Sequence, residues 1–534
     1  MTGTILARLL LPLSVALSSA GAVTVEGEIL DAATNRSMPA RLQIRGADGT
    51  WYFAQSAATA GSALRYERQR ANTTSVEMHT TLSADPFRVE LPPGRYVFTV
   101  ARGPEYVAER REVEVTAGRP RISFRLLRWV DMAKAGWFSG DTHVHRTPVE
   151  MATLLLAEDL NVALPLLDWT TDSHITAVAD PRSTGGHFPP AVVVVDPMHV
   201  WYPRNTEFEI FRVANRPHRL GAFFVLNHRT RFERPLFPLA EVIAQARAEE
   251  ALLDLEKHNW EWTIAMAPIL KPDLIELANN HLWQAEYALK NWAVPAPAWM
   301  KLSGSGTDNE RDWVHYGLQS YYALLNCGLR IAPTAGTASG VHPVPLGFSR
   351  VYVQLDGPFD YDAWIRGLAA GRSFVTTGPM LRAQAGGRWP GTTFADARAE
   401  SVLQCDVRSE QPLESIELIV NGEVAQRFTP ENKRDAAAFT SVVTTRFQPR
   451  GTSWLAWRCF EPRPAGRFRF AHSAPWYFTV PGQPLRPRRV EAEWLVTRVK
   501  EEIARSRGVV PDGFLADYER ALGFYEELAT RARE

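Results

Sequence analysis

Asp141-Thr142-His143-Val144-His145 is the stretch of this chain whose residue types and spacing most plainly offer chemistry, and it follows an apolar Trp137-Phe138. Residues i and i+2 of a strand share a face. His143 and His145 would therefore turn two imidazoles towards one point, and imidazole is the commonest metal ligand. With 13 histidines in 534 residues, chance supplies roughly 0.3 His-x-His pairs, and requiring an Asp two residues earlier cuts that to about 0.02. Asp141 then has the place of a group that orients an imidazole from behind. Arg146, next in line, is placed either to bind an anionic substrate group or to sit in solvent.

Further candidates stand at the ends of apolar runs. Asp168 follows 162–167, Asn227-His228 follow 222–226, and Asn279-Asn280-His281 follow 275–278. Glu276 lies inside the last of these runs. Carboxylates are costly to bury unpaired; a bound metal explains Glu276 and Asp168, and so does a structural ion pair. His258 and His174 occupy loop-like contexts, and Asp308 and His342 carry weaker signals still.

Such residues need elements to position them. Between 129 and 385, helical stretches at 148–159 and 239–256 alternate with buried-strand patterns at 162–167, 191–195, 222–226, 275–278 and 351–355. That alternation predicts a parallel sheet, open or closed into a barrel, with its active groups at the carboxyl ends of the strands. Before it, 23–128 shows short period-2 alternations at 23–29, 41–44, 87–91 and 96–100, which predict a small antiparallel sandwich. The segment Phe87-Arg88-Val89-Glu90-Leu91-Pro92-Pro93-Gly94-Arg95-Tyr96 resembles the strand-turn-strand of carboxypeptidase regulatory-like domains, mostly accessory modules. After the central region, strands return over 386–482. There Asn421-Gly422 supplies the positive φ angles of a type I′ hairpin between 416–420 and 423–428, and a second sandwich is expected. The tail, 483–534, reads as two helices whose apolar faces (Trp494, Leu495 and Val499; Tyr518, Leu522 and Tyr525) pack on the preceding domains.

Composition narrows the function classes. Fifty-nine basic and fifty-nine acidic residues leave no net charge, which argues against a nucleic-acid binder or a polybasic membrane-surface protein. Arg8, an apolar 9–17 and Ala20-Gly21-Ala22 read as a secretory leader over 1–22, so the mature chain is expected in the periplasm or secreted. No later run reaches 18 apolar residues, so no integral membrane segment is expected after cleavage. Cys327, Cys405 and Cys459 are too scattered for a zinc finger or a disulfide framework and read as buried thiols.

Asp141-x-His143-x-His145 resembles the opening motif of the PHP (polymerase and histidinol phosphatase) superfamily. Four later segments resemble its CehA/McbA-like branch: Glu276-Leu277-Ala278-Asn279, Tyr322-Ala323-Leu324-Leu325-Asn326-Cys327-Gly328, Thr334-Ala335-Gly336, and Gly371-Arg372-Ser373-Phe374-Val375-Thr376-Thr377-Gly378-Pro379. The resemblance implies a multidomain α/β plus all-β protein, with a distorted (β/α)7 barrel over 129–385 flanked by the two sandwiches. It implies divalent metal ions (zinc, manganese or iron) and hydrolysis of a phosphoester or carboxylic ester in a small-molecule substrate by a metal-activated water. His143 and His145 would be core ligands, His228, Glu276 and His281 further ligands, and Asp168 a ligand or base. Two departures stand out. The Thr-Asp-His expected after the second strand becomes Asp168-Trp169-Thr170-Thr171-Asp172-Ser173-His174, and Ala338 stands where a late ligand carboxylate belongs. A non-catalytic binding barrel, with Trp260, Trp262, Trp283 and Trp292 stacking on sugar rings, is the alternative expectation.

Overall fold

Alternating apolar residues build the first layer, as period-2 patterning requires. The computed structural model describes residues 21–70, 75–118, 120–179, 188–284, 292–303, 309–435 and 437–534. The expected leader falls almost wholly, and Asp308 wholly, outside them. Val23–Asp31 and Arg121–Arg128 pair in parallel in one sheet, and Ala40–Gly46 and Gly94–Ala101 pair in a second. Val25, Leu42, Ile44, Phe87, Phe98 and Phe124 are buried in one cluster with their neighbours. Phe87–Leu91 lies in the first sheet and Gly94–Ala101 in the second, so Pro92-Pro93 carries the chain from one sheet to the other.

The central region opens with β1 (Trp137–Val144), buried along its whole length. Then come α1 (Met151–Glu158), β2 (Val162–Pro165), β3 (Asp168–Asp172), β4 (Thr206–Val213), β5 (Ala222–Leu226), α2 (Leu239–Ala248), β6 (Leu252–Glu256), β7 (Leu274–Ala278), α3 (Glu310–Asn326) and β8 (Ala332–Ala335). β9 (Arg350–Gln354), α4 (Tyr361–Ala369) and β10 (Ser373–Thr376) complete it. The helix expected over 239–256 is shorter than its sequence pattern. It stops at Ala248, Glu250 turns left-handed at φ 58°, and the remaining apolar residues form β6. A strand buried on both faces reads as a continuous apolar run, which periodicity alone does not separate from a helix.

The ladders form two sheets. One runs β2, β1, β9, β10; the other runs β3, β4, β5, β6, β7, β8. β1–β2, β3–β4, β6–β7 and β7–β8 are parallel, whereas β4–β5 and β5–β6 are antiparallel. The all-parallel order of a (β/α)7 barrel is therefore not the order of these ladders. The sheets do meet at two places. The chain passes from β2 to β3 through Leu166-Leu167, and beyond β8 Ala338 N–H donates to His143 O (2.7 Å) and His145 N–H to Ser339 O (2.8 Å).

The first sheet does not stop at β10. Phe468–Ser473 pairs with it, followed by Ser453–Pro462, Ser415–Val420 and Glu423–Phe428, so the region beyond 386 continues the sheet that carries β1. Asn421 and Gly422 take φ of 49° and 86° at the hairpin, as its turn type requires. Cys327, Cys405 and Cys459 are buried thiols. The terminal helices, Arg489–Ser506 and Asp512–Thr530, pack onto the centre, where Tyr525 OH donates to Ile264 O (2.9 Å) and the Phe514 ring meets Phe237 at a tilt (centroids 4.5 Å apart). No helix of the described residues is long and apolar enough to cross a membrane.

At the seam, His472 faces Tyr322 of α3. Its Nδ1 donates to Ser473 O (2.7 Å), because a carbonyl only accepts, so Nε2 accepts from Tyr322 OH (2.8 Å). The charged group against it is Arg458, itself paired with Glu417. Burial, and then Arg458, push the imidazole down to about 3. The unfolded chain takes up a proton below about 6.5 that the folded one refuses, so this contribution is complete above that pH and declines as pH falls. Urea unfolding of the wild type and His472→Gln should show the wild type losing stability relative to the variant by about 1.4 kcal/mol per pH unit between pH 6 and pH 4. Parallel pH profiles would remove this account of His472.

Candidate metal centre

β1 is apolar at its start and polar at its end, and the polar end is wholly buried. Asp141, His143 and His145 share a face by alternation. His143 Nε2 and His145 Nε2 stand 3.1 Å apart, and His145 Nε2 is 3.6 Å from Glu207 Oε2. Three donors around an ion at about 2.0–2.2 Å are separated by roughly 3.0–3.6 Å, so the spacing is that of a coordination shell. The other nitrogen of His143, Nδ1, faces Glu276 Oε1 at 3.0 Å and Glu256 Oε1 at 3.6 Å. Two groups of ligand atoms thus share His143: His143, His145 and Glu207, and His143, Glu256 and Glu276. A third, Glu207, Glu209 and Glu256, adjoins them.

Each carboxylate comes from a strand of the second sheet. Glu207 and Glu209 lie on one face at the start of β4, Asp254 and Glu256 on one face of β6, and Glu276 on β7. Burial, then Glu256 and Asp254, raise the Glu276 carboxyl well above the usual range; Asp254 is likewise raised by burial and accepts from Thr334 Oγ1 at 2.8 Å. Glu276 Oε2 has no hydrogen-bond partner among the described residues. Two imidazoles and a carboxylate, all buried and with their ligand atoms within 4.8 Å of one another, form a donor set that fits a divalent ion. A mixed nitrogen and oxygen shell suits zinc, manganese or iron.

The shell is held from behind. Contrary to the expectation from sequence, Asp141 does not touch an imidazole. It accepts from the backbone N–H groups of His143 (3.1 Å), Thr337 (3.2 Å) and Gly347 (2.9 Å) and from Thr337 Oγ1 (2.6 Å). It therefore ties β1 to the loop after β8, and that loop approaches closely because of its glycines. Gly340 has φ 108°, and a Cβ there would lie 2.2 Å from His145 O. Ala338 takes φ 51° and donates its N–H to His143 O.

The N-terminal sandwich braces the same loop, a role that its accessory appearance in sequence does not reveal. Tyr66 OH donates to His342 O (2.6 Å) and accepts from Gly340 N–H (2.9 Å), and Arg68 Nε donates to Gly340 O (2.9 Å). Arg41 pairs with Glu158 of α1 at 2.7 Å.

Of the residues singled out in sequence, His143, His145 and Glu276 come together here. His228 lies elsewhere: its Nδ1 donates to Thr230 O (2.8 Å), its Nε2 accepts from Thr206 Oγ1 (2.9 Å), and burial lowers it to about 4. Both nitrogens are thus engaged. His281 donates from Nδ1 to Asn280 Oδ1 (2.8 Å) and stacks on Trp313 (4.4 Å). Asp168 forms a two-pronged pair with Arg231 (2.7 and 3.2 Å), and Arg146 pairs with Glu150 (2.8 Å) and covers the Tyr66 ring (4.2 Å). For Asp168 the ion-pair alternative is the observed one. His258 packs between Trp313 and Tyr316, His174 accepts from Ala214 N–H, and His342 meets Arg70. Trp262 and Trp283 are fully buried, so neither offers a face to a sugar.

Glu207, Glu209, Glu256 and Lys257 complete the cluster and were not singled out from sequence. For the first pair the available signal was Glu207-Phe208-Glu209-Ile210, polar and apolar in alternation.

No family model and no curated protein matches the chain. Among solved structures, it is similar to the crystal structure of a two-domain protein containing predicted PHP-like metal-dependent phosphoesterase from Bacteroides vulgatus ATCC 8482. The likeness covers 64% of this chain and 94% of that one, at 9% identity and a TM-score of 0.28. At that distance no residue role is carried across.

Proposed function

We propose that this chain is an exported metal-dependent hydrolase of PHP type, of the CehA/McbA-like branch, cleaving a phosphoester or carboxylic ester of a small molecule. The observation that carries the reading is the buried convergence of His143 Nε2, His145 Nε2 and Glu207 Oε2. The two sheets, which meet at β2–β3 and at β8–β1, are read as a distorted, partly antiparallel relative of the (β/α)7 barrel. Export rests on the leader pattern at 1–22.

His143, His145 and Glu207 would hold a divalent ion, which would supply Lewis acidity to lower the pKa of a water and polarise the bond to be cut. The chain's own part is positioning. His143 Nδ1 lies 3.0 Å from Glu276 Oε1, a contact that would fix the tautomer leaving Nε2 free to ligate. Asp141 fixes the backbone that carries both imidazoles.

Metal analysis tests the reading. Purified wild-type protein should carry zinc, manganese or iron in stoichiometric amount and hydrolyse p-nitrophenyl phosphates or esters; the double change His143→Ala/His145→Ala should lose both. A folded wild-type protein that takes up none of these metals and turns over neither substrate would falsify it.

A further inference from the structure

Lys257 stands where chemistry would put another metal ion. In a regular strand it would face away from Glu256, because successive side chains alternate. Its φ of 55° breaks the alternation. A non-glycine residue pays for the left-handed region with strain, and such residues persist where the surroundings enforce them. Here they bring the ammonium back to the side of its neighbour. Nζ lies 2.6 Å from Glu256 Oε2 and 2.8 Å from Glu209 Oε1, and 4.5 Å from the centroid of the Trp260 ring.

Glu209 and Glu256 are two members of the third group of potential ligand atoms, Glu207, Glu209 and Glu256. A divalent ion on those oxygens would need the place the ammonium already occupies, and the two cations would repel at short range. The triad at His143, His145 and Glu207 contains neither of the carboxylates that Lys257 Nζ meets at 2.6 and 2.8 Å.

We propose that the Lys257 ammonium is a built-in cation in the position of a second metal ion, so that the centre binds one divalent ion, at His143, His145 and Glu207. The proposal rests on the metal-dependent reading above, and its test separates the two. Full-length mature protein is stripped with a chelator, reloaded with excess Zn2+ or Mn2+, desalted, and its ions counted per chain by elemental analysis and native mass spectrometry. The wild type and Lys257→Arg should hold a single ion. Lys257→Met and Lys257→Gln, which keep length without charge, should hold two. Circular dichroism reports which variants are folded.

Two ions in the wild type, or a single ion in either folded uncharged variant, would overturn the role of Lys257 and leave the metal centre standing. No ion in the wild type, or an ion retained by His143→Ala/His145→Ala, would overturn the centre itself. Should both uncharged variants fail to fold, the wild-type count decides: one ion supports the proposal and two reject it.

Discussion

Glu207→Ala is expected to weaken divalent-ion binding by more than about a hundredfold, since even groups that only orient a ligand are worth 10- to 100-fold. Glu207 Oε2 lies 3.6 Å from His145 Nε2 and is the sole carboxylate grouped with both imidazoles among the described residues. His228→Gln should leave the affinity within a few-fold, because both nitrogens of His228 are already committed to Thr206 and Thr230. The measurement is competition against a chelator of known affinity, with both variants checked for folding. Equal losses in the two would mean that the ion sits nearer β5 than the geometry places it.

Gly336→Ala is the second change with a large expected effect. A Cβ at this position would lie 2.2 Å from His143 Cβ and 2.2 Å from Glu276 Oε1. Neither neighbour retreats easily: His143 is fixed by β1 and Asp141, and Glu276 by β7. Overpacking of this kind costs about 1–3 kcal/mol in stability. It also displaces the imidazole by far more than a coordination shell tolerates. The expected result is a folded protein with a lowered melting temperature and ion binding reduced by at least about tenfold. Gly513→Ala is the control, because nothing lies within 4 Å of the added atom, and in a helix it should be neutral or stabilising by up to about 1 kcal/mol. Unchanged metal affinity in Gly336→Ala would show that the loop after β8 does not press on the shell.

How far the sequence revealed this arrangement depends on the kind of signal each residue leaves. His143 and His145 were legible because a two-residue spacing on a strand forces a shared face. Glu276 was legible because a carboxylate inside an apolar run demands an explanation. Glu207 and Glu209 leave a weaker trace, since acidic residues alternating with apolar ones also describe a strand with one solvated face. Glu256 and Lys257 were hidden by the reading of 239–256 as one helix, which the left-handed Glu250 interrupts. His228 and His281 illustrate the opposite error: both follow strands, yet a hydroxyl, a carbonyl and an indole ring satisfy them. The antiparallel β4–β5–β6 order was equally invisible, because local patterning fixes a strand but not its partner's direction.

The sheet that carries β1 has one further consequence, for how the molecule keeps to itself. An exposed edge strand offers unpaired backbone groups to any passing chain. Were the sheet to end at β10, that edge would be Ser373–Thr376, which is buried and apolar at its centre. The C-terminal strands carry the edge outward to Glu423–Phe428, an exposed segment with Glu423, Gln426 and Arg427 among its residues. A charged, hydrated border is a poor template for strand addition. The added strands therefore act as a selvedge, finishing the fabric so that it cannot be extended by a neighbour.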